Sequence, residues 1–172
     1  VVAIAEFVAT EVCPDITKQV SRAAWLCKAD LVTQMVYEFP EMQGVIGGYY
    51  SDYSGEDPEV GLAIKEHYRP AFSGDHLPSS QVGAIVSIAD KLDTILGCIG
   101  VGLLPSGSED PYGLRRHSLG IIQIIIDQNW PVSLDALIEK GVSLLKEKIK
   151  LTPDEVRAHT LDLFSQRYKT LL

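Results

Sequence analysis

Apolar residues recur at helical spacing along most of this chain. The clearest case is 81–99, where one face is wholly apolar: Ile85, Ile88, Leu92, Ile95 and Ile99. Polar residues on the other face complete the pattern of an amphipathic helix that buries one side. A second long helix is predicted over 15–37. Asp15 can cap its start, and an apolar series follows at the same spacing: Val20, Ala24, Cys27, Leu31 and Met35.

Capping signals mark further helices. A helix over 41–50 is weakened by glycines, and another begins at Pro58, where proline fits the first turn. Ser133 can cap a later helix. The last helix begins at the Thr152-Pro153-Asp154-Glu155 segment, which has the form of a capping box. These signals predict helices in both halves of the chain.

The segment 119–126 permits two interpretations. Its run of isoleucines favours a strand on propensity alone. No other segment is a convincing strand, so a buried helix is the better prediction. The fold class that follows is all-α: a single helical domain of about seven helices spanning 1–172.

Composition and charge narrow the functional class. Hydrophobic residues make up 46% of the 172 residues and the net charge is −8, which indicates a globular chain and opposes a general nucleic-acid binder. One local basic patch could still contact RNA. The three cysteines form no CxxC pair, so neither a disulfide framework nor a zinc site is expected, and a reducing cytoplasm is the natural setting.

The apolar stretches and the two ends of the chain bear on secretion, membrane insertion and truncation. No secretory signal is recognisable, and no apolar stretch reaches the ~20 residues that a membrane span needs. The chain lacks an initiator methionine and closes on a helical pattern. We therefore expect an internal piece of a longer polypeptide, truncated at both ends.

A partial set of metal-ligand residues is similar to that of HD-domain phosphohydrolases. Glu66-His67-Tyr68, a Gly- and Pro-containing loop and a helix with Ala89-Asp90 occur in the order typical of that family. Imidazole and carboxylate ligands would hold a divalent metal that generates hydroxide. Asp30 falls where the His-Asp pair belongs, but Ala29 precedes it in place of histidine. Asp30, His67 and Asp90 are therefore expected to be vestigial positions, with no metal and no catalytic residue.

Arg115 and Arg116 are the only adjacent arginines, and with His117 they form the single basic cluster in the sequence. Arginine binds phosphate through a planar fork of donors. Salt bridges on a helix surface are the alternative role. Asp110 or Ser108 can cap the helix that carries the pair.

Longer blocks carry a more specific resemblance. They are Lys28-Ala29-Asp30-Leu31-Val32-Thr33-Gln34-Met35-Val36, Glu38-Phe39-Pro40-Glu41-Met42-Gln43-Gly44, Gly47-Gly48-Tyr49-Tyr50, Glu66-His67-Tyr68, Gly74-Asp75, Leu77-Pro78, Ala89-Asp90-Lys91-Leu92-Asp93-Thr94 and the segment 105–116. In this order they resemble the beta subunit of bacterial glycyl-tRNA synthetase. The flanks, 1–27 and 121–172, resemble that family only in helical character.

The resemblance implies a cytoplasmic heterotetramer of two alpha and two beta subunits. The alpha subunit would hold the catalytic site, where ATP and magnesium are used, and the beta subunit would supply most of the tRNA(Gly) binding. This chain would then be an HD-like beta-subunit domain with no cofactor of its own. Its expected partners are tRNA(Gly), the alpha subunit and other beta-subunit domains.

Arg115, Arg116, Lys28 and Arg69 are the candidate tRNA contacts. Two alternatives remain open for the whole chain: a metal-dependent HD-type phosphohydrolase and a purely structural spacer domain.

Overall fold

The computed structural model describes residues 1–105 and 109–171. Within these residues the α-helices are α1 (Val2–Val12), α2 (Thr17–Leu26), α3 (Gln34–Glu38), α4 (Val45–Tyr53), α5 (Pro58–Glu66), α6 (Gln81–Gly100), α7 (Leu114–Asp127), α8 (Leu134–Leu145) and α9 (Pro153–Tyr168). Short 3-10 turns cover Pro14–Ile16, Ala29–Val32 and Pro40–Met42. The predicted all-α class is confirmed.

The isoleucine-rich segment 119–126 is helical, as predicted, and forms most of α7. Ile121 and Ile124 are buried while Ile126 is exposed, which is the alternation of a helix with one inward face. α7 packs against α9. Burial of this face outweighs the weak preference of β-branched residues for strands.

The predicted continuous helix over 15–37 is wrong. α2 ends at Leu26, a 3-10 turn follows, and α3 begins after Thr33, whose hydroxyl accepts a hydrogen bond from the Val36 N–H. Leu31 and Met35, the last two members of the predicted apolar series, are 46% and 39% exposed. The break and the unpredicted α1 explain why the described residues form nine α-helices and not about seven.

The chain divides into two compact units, Val1–Ala89 and Asp90–Leu172, with the division inside α6. In the first unit α1 packs on α2, and both α2 and α4 pack on α5. In the second unit α7 and α8 each pack on α9. The prediction of one domain across 1–172 stays a prediction.

Charge is distributed unevenly between the units. The first contains twelve Asp and Glu against five Lys and Arg, a net charge of −7, and the second contains eleven against ten, a net charge of −1. Because polyanions are repelled by acidic surfaces, the second unit is the more favourable of the two for a contact with RNA.

Candidate functional site

Asp30 caps α4 from a distant turn. Its Oδ2 accepts hydrogen bonds from the backbone N–H groups of Gly44, at 2.6 Å, and Gly47, at 3.2 Å. Gly44 is the residue before α4 and has φ of 79°, a conformation that favours glycine. A Cβ at Gly47 would lie 2.8 Å from the same oxygen, so only glycine permits this approach. The negative carboxylate thus lies at the positive, N-terminal end of the α4 dipole, where it stabilises the helix.

His67 ends α5 and is fully buried. Its Nδ1 lies 2.7 Å from the Ile64 carbonyl oxygen, and because a carbonyl only accepts, Nδ1 carries the proton and donates. The Tyr68 ring lies against the imidazole, with 3.9 Å between centroids. His67 and Asp30 both belong to the first unit, and Asp90 opens the second.

Metal binding receives no support from the described residues. Across 1–105 and 109–171, no group of three or more His, Cys, Asp and Glu side chains could hold a metal ion. The assignment of Asp30, His67 and Asp90 as vestigial HD-site positions stays a prediction.

Two of the four predicted RNA contacts lie in the acidic first unit. The Lys28 Nζ lies 3.9 Å from the centroid of the Tyr68 ring, a cation–π contact. Arg69 Nη1 lies 3.5 Å from Glu66 Oε1. Both cations already have intramolecular partners, which weakens their case as phosphate ligands.

Glu66 is a buried structural carboxylate that the sequence interpretation missed. Its oxygens accept hydrogen bonds from the backbone N–H and the hydroxyl of both Ser79 and Ser80. The Ser80 hydroxyl in turn accepts from the Gly83 N–H in the first turn of α6. No local motif signals this group, because Glu66 lies thirteen and fourteen residues before its partners.

The other two predicted contacts, Arg115 and Arg116, lie together in the first turn of α7. Asp110 caps this helix, as predicted: Oδ1 accepts from the Leu114 N–H at 2.7 Å and Oδ2 from the Arg115 N–H at 2.9 Å. Ser108, the other predicted cap, lies outside the described residues. Gly113 precedes the helix with φ of 66°.

The two arginines have different surroundings. Arg115 is half-buried, and its Nη1 donates to the Glu109 carbonyl oxygen at 3.3 Å. Arg116 is exposed, and its Nη2 lies 2.5 Å from where a Cβ on Gly113 would be. The glycine therefore makes room for the guanidinium, which remains open to solvent and to an anion.

His117 adds no positive charge to this pair at neutral pH. Its partial burial, followed by the positive charges of Lys91 and Arg116, lowers the pKa of His117 to about 4, although Asp90 and Asp110 oppose the shift. At neutral pH the positive charge of the predicted basic cluster therefore comes from Arg115 and Arg116.

Comparison with known proteins identifies the family. A family model described as the glycyl-tRNA synthetase beta subunit matches residues 1–172. The chain belongs to the glycyl-tRNA synthetase beta subunit family. Among its curated relatives, the glycine–tRNA ligase beta subunits of Geobacter sulfurreducens and Geobacter metallireducens are 52% and 51% identical over 170 residues. That of Syntrophus aciditrophicus is 47% identical over 169 residues.

These alignments cover 98–99% of this chain but only 24–25% of each relative. The chain thus spans about a quarter of the length of these beta subunits. None of its described helices is long and apolar enough to cross a membrane.

Proposed function

We propose that this chain is a tRNA-binding part of the beta subunit of a cytoplasmic glycine–tRNA ligase. It would help to bind and position tRNA(Gly) for ATP-dependent glycylation, with the chemistry on the alpha subunit and with ATP and magnesium used there. Family membership over the whole chain is the observation that carries the proposal.

The electrostatics favour α7 as the surface that approaches RNA. Arg115 and Arg116 lie in the first turn of α7, which Asp110 caps and Gly113 precedes. They belong to the unit with a net charge of only −1. The exposed Arg116 can reach a phosphate without losing a protein partner that the structure shows. Lys28 and Arg69 are secondary candidates, because they lie in a unit with a net charge of −7 and are already engaged within it.

The test replaces both arginines with alanine in the full-length beta subunit and measures tRNA(Gly) affinity across a salt series. Each lost phosphate contact should reduce the slope of log affinity against log salt by about 0.7–0.9. The affinity for tRNA(Gly) at low salt should fall. In the presence of the alpha subunit, the KM of glycylation for tRNA(Gly) should rise.

Lys146→Ala with Lys148→Ala is the matched control, since it removes the same charge from exposed positions of the same unit. An equal loss of tRNA(Gly) affinity in both double variants would mean that the affinity depends on net charge and not on the position of the two arginines. An unchanged affinity in the arginine variant would favour the alternative of a structural spacer.

An HD-type phosphohydrolase is the other enzyme class to be tested. Hydrolysis of a generic phosphodiester with added manganese, abolished by Asp90→Ala, would support it and would contradict the proposal.

A further inference from the structure

The solvent-exposed face of α4 is apolar, which is the reverse of the usual pattern of a surface helix. Val45, Tyr49 and Tyr53 follow one another every four residues and are 40%, 59% and 94% exposed, and Tyr50 beside them is 42% exposed. The opposite face of the helix is buried, and α4 packs on α5. A helix that is apolar on both faces is normally covered on both.

The exposed area of this face is large enough for an interaction site. At about 150–250 Å² per aromatic side chain, the tyrosines of α4 together expose about 300–500 Å². The largest apolar patch on a typical monomer has a similar area and often has a function. Tyrosine is also enriched at protein interfaces, because its ring is apolar and its hydroxyl can form a hydrogen bond at the edge of the contact.

Asp52 is the one charged residue in the sequence of α4, and a lysine of α5 neutralises it. Its Oδ2 lies 2.8 Å from Lys65 Nζ, which also lies 4.6 Å from the centroid of the Tyr49 ring. Lys65 is the first Lys or Arg after Lys28, since residues 29–64 contain seven Asp and Glu and none of the two basic residues. The apolar face therefore lies in an acidic part of the chain.

Exposed acidic residues flank α4 at both ends. Glu41 lies in the 3-10 turn before the helix, and Asp57 and Glu59 lie at the start of α5, shortly after Tyr53. Like charges that face each other across an interface repel, whereas opposite charges attract. A partner that matches this face is therefore apolar at its centre and basic at its edges.

RNA and a second copy of the chain fit this face less well. Exposed aromatic rings can stack on unpaired bases, but such rings normally lie in positively charged grooves that follow the backbone of the nucleic acid. A symmetric pair of copies would bring the same acidic residues of the two chains together. A protein segment that contains Lys or Arg meets neither objection.

We propose that the exposed face of α4 docks a basic, apolar segment that belongs to the part of the beta subunit outside 1–172. The chain spans about a quarter of the length of its relatives, so most of such a subunit lies outside it. A covalently linked segment is present at an effective concentration on the order of millimolar, which favours it over a separate molecule. The proposal rests on family membership and not on the proposed role with tRNA.

The test places the photoreactive residue p-benzoylphenylalanine at Tyr53 of the full-length beta subunit. The enzyme is assembled with its alpha subunit and tRNA(Gly) and irradiated, and mass spectrometry identifies the segment that becomes linked. We expect a beta-subunit peptide from outside 1–172 that contains more Lys and Arg than Asp and Glu. A mixture of ¹⁵N-labelled and unlabelled beta subunits distinguishes a link within one copy from a link between copies, because only the latter joins labelled to unlabelled peptides.

Two controls separate this face from exposure and charge in general. The same photoreactive residue at Tyr112, which is 49% exposed in the second unit, should not link to that peptide. Glu41→Lys with Glu59→Lys should lower the yield of the Tyr53 link at least about twofold, because attractive contacts become repulsive. Glu139→Lys with Glu147→Lys, at exposed positions of the second unit, should leave the yield unchanged.

A link from Tyr53 to tRNA, to the alpha subunit, to another copy of the beta subunit or to an acidic peptide would overturn the proposal. The absence of any link above the level of the unirradiated enzyme would do the same. Equal yields in the two lysine double variants would contradict a basic partner and would likewise overturn it.

Discussion

Replacement of Glu66 by glutamine should locally destabilise the start of α6. The carboxylate accepts hydrogen bonds from both Ser79 and Ser80, and the Ser80 hydroxyl then holds the Gly83 N–H. Glutamine keeps one acceptor oxygen but turns an NH₂ group toward the serine donors. Because both Ser80 donors use Oε2 and the Ser79 hydroxyl uses Oε1, either the Ser80 donors or the Ser79 hydroxyl then lose their acceptor.

The expected cost follows from these contacts. An unsatisfied buried donor costs about 1–3 kcal/mol. Loss of a negative charge beside the first turn of a helix adds about 0.3–1 kcal/mol. Arg69 contributes little, because its side chain is 46% exposed and its ion pair is correspondingly weak. A total of about 1–4 kcal/mol is a substantial fraction of the roughly 5–15 kcal/mol that stabilises a typical domain.

Hydrogen exchange on the full-length protein measures this effect locally. The amides of Ser79, Ser80 and Gly83 should exchange faster in Glu66→Gln by an amount that corresponds to this free energy. Glu59→Gln, at an exposed position of the same helix, is the control. If both variants change exchange by under about 0.5 kcal/mol, the role assigned to Glu66 is refuted.

Three further outcomes are expected. Because the pKa of His117 is lowered to about 4 in the folded state, stability should fall as pH decreases from the ordinary value of 6.5 toward 4. His117→Gln should reduce that loss in denaturation measured at pH 7 and pH 4.5. Asp110→Ala should cost about 0.5–2 kcal/mol, seen as faster amide exchange at Leu114 and Arg115, the two N–H groups that it caps. Gly100→Ala should lower the Tm through an overpacking cost of about 1–3 kcal/mol, because its Cβ would lie 2.2 Å from Ile149 Cγ2. An unchanged Tm would show that Ile149 moves freely.

Local and periodic signals were sufficient for the fold class and for several helix starts. The apolar stripe of α6 is buried as the periodicity predicts, and Asp110, Ser133 and Thr152 cap the helices that they precede. These features lie within a few residues of one another in the sequence. Spacing along the chain therefore carries enough information to find them.

Contacts between distant residues could not be predicted in this way. Residues 27–33 continue the apolar spacing of α2, yet they form a turn in which the Asp30 carboxylate reaches the backbone of α4, fourteen and seventeen residues further along. The glutamate of the Glu66-His67-Tyr68 block likewise acts on Ser79 and Ser80. Each contact joins a side chain to backbone donors that only chain folding brings near.

The sequence by itself determined the all-helical class and the family, because helical periodicity and long ordered blocks are properties of the chain. The tertiary structure decided which interactions each charged side chain makes. It commits Asp30 and Glu66 to helix starts, engages Lys28 and Arg69 in the acidic unit, keeps His117 neutral and leaves Arg116 exposed. Burial and electrostatic interactions depend on distances in space, and the sequence does not specify these until the chain is folded.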